Sequence, residues 1–350
     1  MIMKKLVLIS LSLFLTLISC NKDVEQNKEG QENSASSNSR EAILNAEGVQ
    51  MIRIGTAIDS FNVYTRKVGN NPSMKVLLLH GGPGCTHELY ESVENYFPGK
   101  NIEFYYYDQL GSYYSDQPSD TSLWTIDRFV DEVEQVRIAL GLNSTNFYLL
   151  GQSWGGILAM EYALKHQKNL KGLIISNMVS NIESYNAYNK DVLSPMLPAD
   201  VLDTILYYEE REDYMNEKYL SLIQEHYYTQ HVLRAPLDEW PDAINRTFQH
   251  LNPEVYVYMQ GPSEFGIKGD ASLKDWSVSD RLSEIYVPTL TVGGKHDTMD
   301  PNHMLWMASQ VQKGRFLMCY NGSHLSQYDD MDTYWNGITR FVEEVNSGDF

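Results

Sequence analysis

From Val49 to Val68 the sequence VQMIRIGTAIDSFNVYTRKV alternates apolar and polar positions in places, and that period of two predicts a hairpin. Beyond it the pattern changes to short apolar runs ending in glycines or polar turns. MKVLLLHGGPG, NIEFYYYDQLG, NFYLLGQSWGG, LKGLIISN, VPTLTVGG and GRFLMCY each have this form. Between them the spacing becomes helical. Phe129, Val133, Val136 and Leu140 fall on one face of a helix that stops at Gly141, and ILAMEYALKHQ, HMLWMASQVQ and TYWNGITRFVEEV read the same way. Apolar strands alternating with helices predict a largely parallel sheet with helices on both faces.

The alternation breaks after LIISN. A stretch rich in Tyr, Glu and Leu, including PADVLDTILYYEEREDYMNEKYLSLIQEHYY, predicts a helical insertion. The organisation expected is therefore an α/β core over 47–180, a helical cap over 181–270, and a return to the core over 271–350.

The first 46 residues follow different rules. Lys4 and Lys5 precede an uncharged run from Leu6 to Ile18, then Ser19 and Cys20. That run is shorter than the roughly 20 residues needed to cross a bilayer, so residues 1–19 read as a signal peptide. The ending Leu17-Ile18-Ser19-Cys20 resembles a lipobox, which implies cleavage before Cys20, lipidation of its thiol and a bacterial envelope location, periplasmic or surface-exposed. Residues 20–46 read as a polar tether. Twenty such residues give an r.m.s. reach of roughly 25 Å.

Composition narrows the partners. The chain has 350 residues, 43% of them hydrophobic, with 24 Tyr and 6 Trp, enough to bury a sizeable core. Its net charge is −19, and loss of residues 1–19 removes two lysines and makes it −21. That charge argues against nucleic acid and against electrostatic binding to anionic lipid. Besides Cys20 only Cys85 and Cys319 remain, enough for at most one disulfide.

Candidate chemistry centres on GQSWGG. Gly151 to Gly156 fits G-x-S-x-G with Ser153 between a strand and a helix, where a tight turn lifts a serine hydroxyl clear of the sheet. HGGPG, from His80 to Gly84, follows another strand. Its Gly82 N–H would pair with that of Trp154 as an oxyanion hole. Where this motif stands at such a turn, the acid and then the histidine follow in chain order. His166 lies on the next helix, and His226, His231 and His250 lie in the insertion. His324, in the loop after the last strand, is the candidate base. Asp300 before Pro301 reads as a helix N-cap, and His296 and His303 as incidental or packing residues, leaving Asp297 as the acid. A metal site at His296, Asp297, Asp300 and His303 lacks a ligand-spacing signature and would occupy that acid. Nothing in the reading requires a cofactor or a metal.

HGGPG, DQLGS, GQSWGG, MQGPSEF, LKDWSVSDRL, VPTLTVGG and GSHL together resemble, in order, the proline iminopeptidase family of α/β-hydrolases, from about residue 50 onward. The resemblance implies an α/β-hydrolase core with a helical cap, and release of an N-terminal residue, often proline, from short peptides. It assigns Ser153, Asp297 and His324 as the triad, Gly82 and Trp154 as oxyanion donors, and Glu264 as the carboxylate that binds the substrate's ammonium. Two departures stand out. Thr298 occupies a position where the family commonly has a second ammonium-binding glutamate, and DQLGSYYS replaces the usual DQRGSGRS, with Leu110, Tyr113 and Tyr114. Asp108 reads as structural. Alternatives to the aminopeptidase are an amidase or esterase acting on amino-acid amides and other small substrates, and a surface lipoprotein that binds peptides without turnover.

Overall fold

The computed structural model describes residues 40–350. The expected signal peptide and Cys20 lie outside them. The expected tether enters at Arg40, and its last residues are packed: 40–44 form one helical turn whose Ile43 and Leu44 lean on the core. Arg40 Nε donates to the Tyr113 carbonyl at 3.2 Å.

Eight strands form one sheet in the order β1-β2-β4-β3-β5-β6-β7-β8. β1 (Val49–Gly55) and β2 (Ser60–Val68) are the predicted hairpin, and β2 also runs antiparallel to β4 (Glu103–Asp108). The remaining pairings are parallel, through β3 (Lys75–Leu79), β5 (Phe147–Gln152), β6 (Gly172–Ser176), β7 (Thr289–Gly294) and β8 (Gly314–Cys319). Successive side chains of a strand face opposite layers. Leu77 and Leu79 belong to the layer that holds α1 (Ile126–Ala139), α2 (Trp154–His166) and α8 (Pro301–Gln310), whereas Val76 and Leu78 belong to the opposite layer, which holds α9 (Met331–Ser347). Each of these fully buried aliphatic side chains contributes about 1.5–3 kcal/mol by leaving water. Both faces are covered, which explains why these strands read as continuous apolar runs rather than as alternation.

The cap leaves the core after β6, and an antiparallel bridge between Asn181 and Ser277 joins its two ends. It comprises α3 (Ile182–Tyr188), α4 (Ala199–Glu209), α5 (Glu217–Ile223), α6 (Asp242–Gln249) and α7 (Pro253–Met259). The long helical run expected from 198 to 228 is broken between α4 and α5, where Glu212 takes φ +53°. It ends in a π-helical segment, Gln224–Val232, which a period of 3.6 does not describe. The cap has its own core of Ile205, Tyr219, Ile223, Tyr227, Trp240 and Ile244, which reaches the main domain through Leu89 and Leu325.

A charged cluster also clamps α6 to the helical segment His87–Asn95. Glu88 accepts from His250 Nδ1 at 2.7 Å, Thr86 Oγ1 at 2.8 Å and Tyr114 OH at 3.0 Å, and it pairs with Arg246. Arg246 bonds Glu91 and Asp242 at 2.7 Å each. Burial opposes ionisation of Glu88, yet the His250 hydrogen bond and charge, Thr86 and Arg246 outweigh it and hold its carboxyl at about 2.

Candidate active site

Ser153 sits between β5 and α2 with φ +55° and ψ −125°, a conformation that L-residues rarely adopt. The turn is possible because Gly151 and Gly155, two residues away on either side, carry no Cβ. A Cβ on Gly155 would lie 2.1 Å from the Leu79 carbonyl oxygen. Ser153 precedes the first residue of α2 but makes no side-chain cap there. Its Oγ turns instead to His324 Nε2 at 2.9 Å, and His324 Nδ1–H donates to Asp297 Oδ1 at 2.8 Å. The three residues come from the ends of β5, β7 and β8. They can act as nucleophile, base and orienting acid.

The surroundings over-determine this arrangement. Asp297 is fully buried. Its Oδ1 accepts from Met299 N–H at 3.1 Å and its Oδ2 from Asn177 Nδ2 at 2.7 Å. Asn177 follows β6 in a left-handed conformation, φ +52°, and also donates to the Ser323 carbonyl at 3.0 Å. His324 is fixed through its backbone: its N–H donates to the His231 carbonyl at 2.9 Å, and its carbonyl accepts from Gln152 Nε2 at 3.0 Å. Burial alone would lower the pKa of His324. The Asp297 charge and hydrogen bond, with Glu264 beyond, outweigh it and raise it above the ordinary imidazole value.

The HGGPG loop lies against the nucleophile. A Cβ on Gly81 would come within 3.1 Å of Ser153 Cβ. Gly82 has φ +107°. As the first residue of α2, Trp154 has a backbone N–H that no carbonyl within the helix accepts. Gln109 ties the two halves together: its N–H donates to His80 Nε2 and its Nε2 to the His80 carbonyl, both at 3.1 Å, while its Oε1 accepts from Trp154 Nε1 at 2.7 Å. Gly82 and Trp154 thus stand on either side of Ser153, Gly82 across the cavity and Trp154 next in the chain.

Glu264 reaches the same cavity from the cap. That cavity is lined by Ser153, Gly82 and His324 on the core side and by Phe248, Tyr256 and Glu264 on the cap side. Glu264 Oε1 accepts from Tyr256 OH at 2.6 Å, its N–H donates to Tyr228 Oη at 3.0 Å, and its carbonyl accepts from Tyr185 OH at 2.6 Å. Its other carboxylate oxygen, Oε2, is buried with no hydrogen-bond partner among the described residues. Burial raises the Glu264 pKa, with the His324 charge and the Tyr256 hydrogen bond pulling the other way. A buried, half-satisfied carboxylate is costly unless a donor, best a cationic one, completes it.

The remaining sequence candidates separate. Asp300 caps α8 by accepting from Asn302 N–H at 2.9 Å, and His303 Nε2 accepts from Ser180 Oγ at 2.8 Å. His296 meets His231 only through its carbonyl. These side chains do not converge, and among the described residues no group of three or more His, Cys, Asp or Glu could hold a metal ion. Thr298 is fully buried, with Oγ1 3.1 Å from His324 Nδ1 and 3.4 Å from Asp297 Oδ1. Cys85 and Cys319 are both free, which removes the one disulfide that composition allowed. Asp108 Oδ1 accepts from His87 N–H at 2.6 Å and from its ring at 2.9 Å. In the altered loop, Leu110 is buried, Tyr113 stacks on His250 with ring centroids 4.0 Å apart, and Tyr114 joins the Glu88 cluster. Sequence reasoning missed Asn177, Gln109, Tyr228 and Tyr256. Only Gln109 left a signal, standing in the DQLG turn.

The chain matches the α/β hydrolase fold family over residues 75–330. Together with the sheet order and the tight turn at Ser153, this makes it an α/β-hydrolase. It is 54% identical over 297 residues to the proline iminopeptidase of Chitinophaga pinensis, covering 85% of this chain and 99% of that one. Identity to the proline iminopeptidase of Flavobacterium johnsoniae is 52% over 296 residues, covering 85% and 98%. The crystal structure of the Mycobacterium smegmatis proline iminopeptidase superposes with a TM-score of 0.76 at 26% identity, covering 86% of this chain and 99% of that one. The chain belongs to the proline iminopeptidase family and is a serine hydrolase of it.

Proposed function

We propose that the protein is an aminopeptidase that releases the N-terminal residue, proline or another small or apolar residue, from short peptides and amino-acid amides through an acyl-enzyme. The observation that carries this reading is the unpartnered Oε2 of Glu264, buried in the cavity that contains Ser153. It gives the substrate's ammonium a carboxylate hydrogen-bond acceptor in the same cavity as the nucleophile.

His324 Nε2 takes the proton of Ser153 Oγ as the oxygen attacks the substrate carbonyl carbon. The oxyanion accepts from Gly82 and Trp154 N–H, and Asp297 steadies the imidazolium. On collapse the C–N bond breaks, and the His324 proton passes to the leaving amine. Water, deprotonated by His324, then cleaves the ester and restores Ser153. Ser153→Ala is expected to cut turnover of proline-β-naphthylamide by about 10⁴-fold or more and to abolish labelling by a fluorophosphonate, with unchanged circular dichroism. Retained turnover would sink the assignment.

The leader sequence also supports a lipid anchor at Cys20 and an envelope location. Metabolic palmitate labelling in a bacterial host is expected for the full chain and not for Cys20→Ser. Equal labelling of both would exclude Cys20 as the site.

A further inference from the structure

The loop that carries His324 is also held by a carboxylate outside the triad. Asp329, at the end of the helical turn Ser326–Asp329, folds back onto Ser323, the residue before His324. Its Oδ1 accepts from Ser323 N–H at 3.0 Å, and its Oδ2 from the same N–H at 3.1 Å and from Ser323 Oγ. Ser323 is fully buried.

The same Oδ2 accepts from Arg234 N–H at 3.3 Å. Arg234 belongs to the cap, two residues past the π-helical segment Gln224–Val232. Beside it, His324 N–H donates to the His231 carbonyl and Leu325 N–H to the Val232 carbonyl, both at 2.9 Å, and Ser323 Oγ reaches the Val232 carbonyl at 2.8 Å. One carboxylate therefore ties the cap to the His324 loop at the end of a run of backbone bonds. The Arg234 guanidinium turns instead to the Asn321 carbonyl at 3.4 Å. Burial raises the Asp329 carboxyl to about 6, the Ser323 and Arg234 hydrogen bonds pull it down, and the Asp297 charge pushes it up. Its own charge in turn favours the imidazolium of His324 and disfavours the thiolate of Cys319.

We propose that Asp329 is a positioning residue for His324: it fixes against the cap the loop that presents the imidazole to Ser153, and its negative charge favours the protonated imidazole through which the reaction passes. The inference rests on the triad reading above and extends it to a residue that touches no reacting atom. A small displacement of a base costs more in the chemical step than in binding, so the effect falls on kcat rather than on KM.

The test uses the full-length enzyme and p-nitrophenyl acetate, which needs the triad but not Glu264. Asp329→Asn keeps the size of the side chain, removes its charge and replaces one acceptor by a donor. It is expected to lower kcat about tenfold, leave KM within about threefold, and move the acidic limb of the pH–rate profile to lower pH, because the imidazolium loses a stabilising charge. Ser323→Ala removes one donor to the carboxylate and leaves the backbone bonds in place. It is expected to lower kcat about threefold with KM unchanged. The position of the limb does not depend on how much of a variant folds. A limb that stays in place in Asp329→Asn, or kcat unchanged in both variants, would overturn the inference. Failure of the readings beneath it looks different. If the triad is wrong, Ser153→Ala keeps its turnover; if the aminopeptidase reading is wrong, the wild-type enzyme cleaves the acetate but not proline-β-naphthylamide.

Discussion

The sheet and the cap are built on opposite principles. In the sheet, β3, β5 and β6 are continuous apolar runs whose alternate side chains feed two packed layers, and Ser153, Asp297 and His324 stand at strand ends that those layers hold still. The cap is short helices and π-helical turns around tyrosines and tryptophan, clamped to the core by the Glu88 cluster. It brings one carboxylate, Glu264, held by tyrosine hydroxyls, and the His231 carbonyl that positions His324. On the function proposed above, the groups that make and break bonds belong to the sheet and the group that selects the substrate belongs to the cap. Loss of a cap contact should change which substrate is taken, or how firmly the cap sits, without dismantling the nucleophile.

That division can be broken at three points, the largest effect first. Glu88→Gln removes the centre of the clamp. A carboxyl depressed from 4.5 to about 2 adds stability above its unfolded value, and that stability is lost as pH falls toward the folded one. Urea melts at pH 7 should therefore show a loss of about 3 kcal/mol that disappears between about pH 4.5 and 2. A loss that does not change with pH would mean the clamp is not electrostatic.

Asn177→Ala tests the rigid layer. It removes a charge-assisted donor to Asp297, worth about 1.5–3 kcal/mol, and should lower kcat roughly tenfold to a hundredfold. Since His324 must be neutral to act as base, its raised pKa sets the acidic limb of the pH–rate profile above the ordinary histidine value. Loosening Asp297 should shift that limb to lower pH. A fall in kcat with the limb unmoved would assign Asn177 to the fold alone.

The smallest expected effect is at Thr298, which lies on the core side of the comparison. Thr298→Val should change kcat/KM by only about two- to fivefold, because Asp297 keeps its own bond to His324. The change should fall equally on all naphthylamides. A change in the order of preference would return Thr298 to substrate selection.

Much of the core was legible because parallel strands with both faces covered must be apolar throughout, and because a serine at a strand-to-helix turn needs glycines around it. Asp297 could be separated from Asp300 by helix-cap chemistry alone, since Asp300-Pro301 opens α8. Asn177 was not legible: a left-handed asparagine after a strand looks like any turn residue until Asp297 is placed beside it. Nor could the cap's interior be read, because tyrosines placed by π-helical turns follow no 3.6-residue period and their partners come from distant segments. Thr298 stood out in the sequence for the carboxylate it lacks, whereas its hydroxyl lies against the His324–Asp297 pair.

The most direct test of the central claim, that one buried carboxylate in the cap selects for a free amine, is Glu264→Gln assayed in parallel on proline-β-naphthylamide and on p-nitrophenyl acetate, which carries no ammonium. The account predicts a loss of roughly tenfold to a hundredfold in kcat/KM for the naphthylamide and a change within about threefold for the acetate. Equal losses on both substrates, or no loss on either, would contradict it.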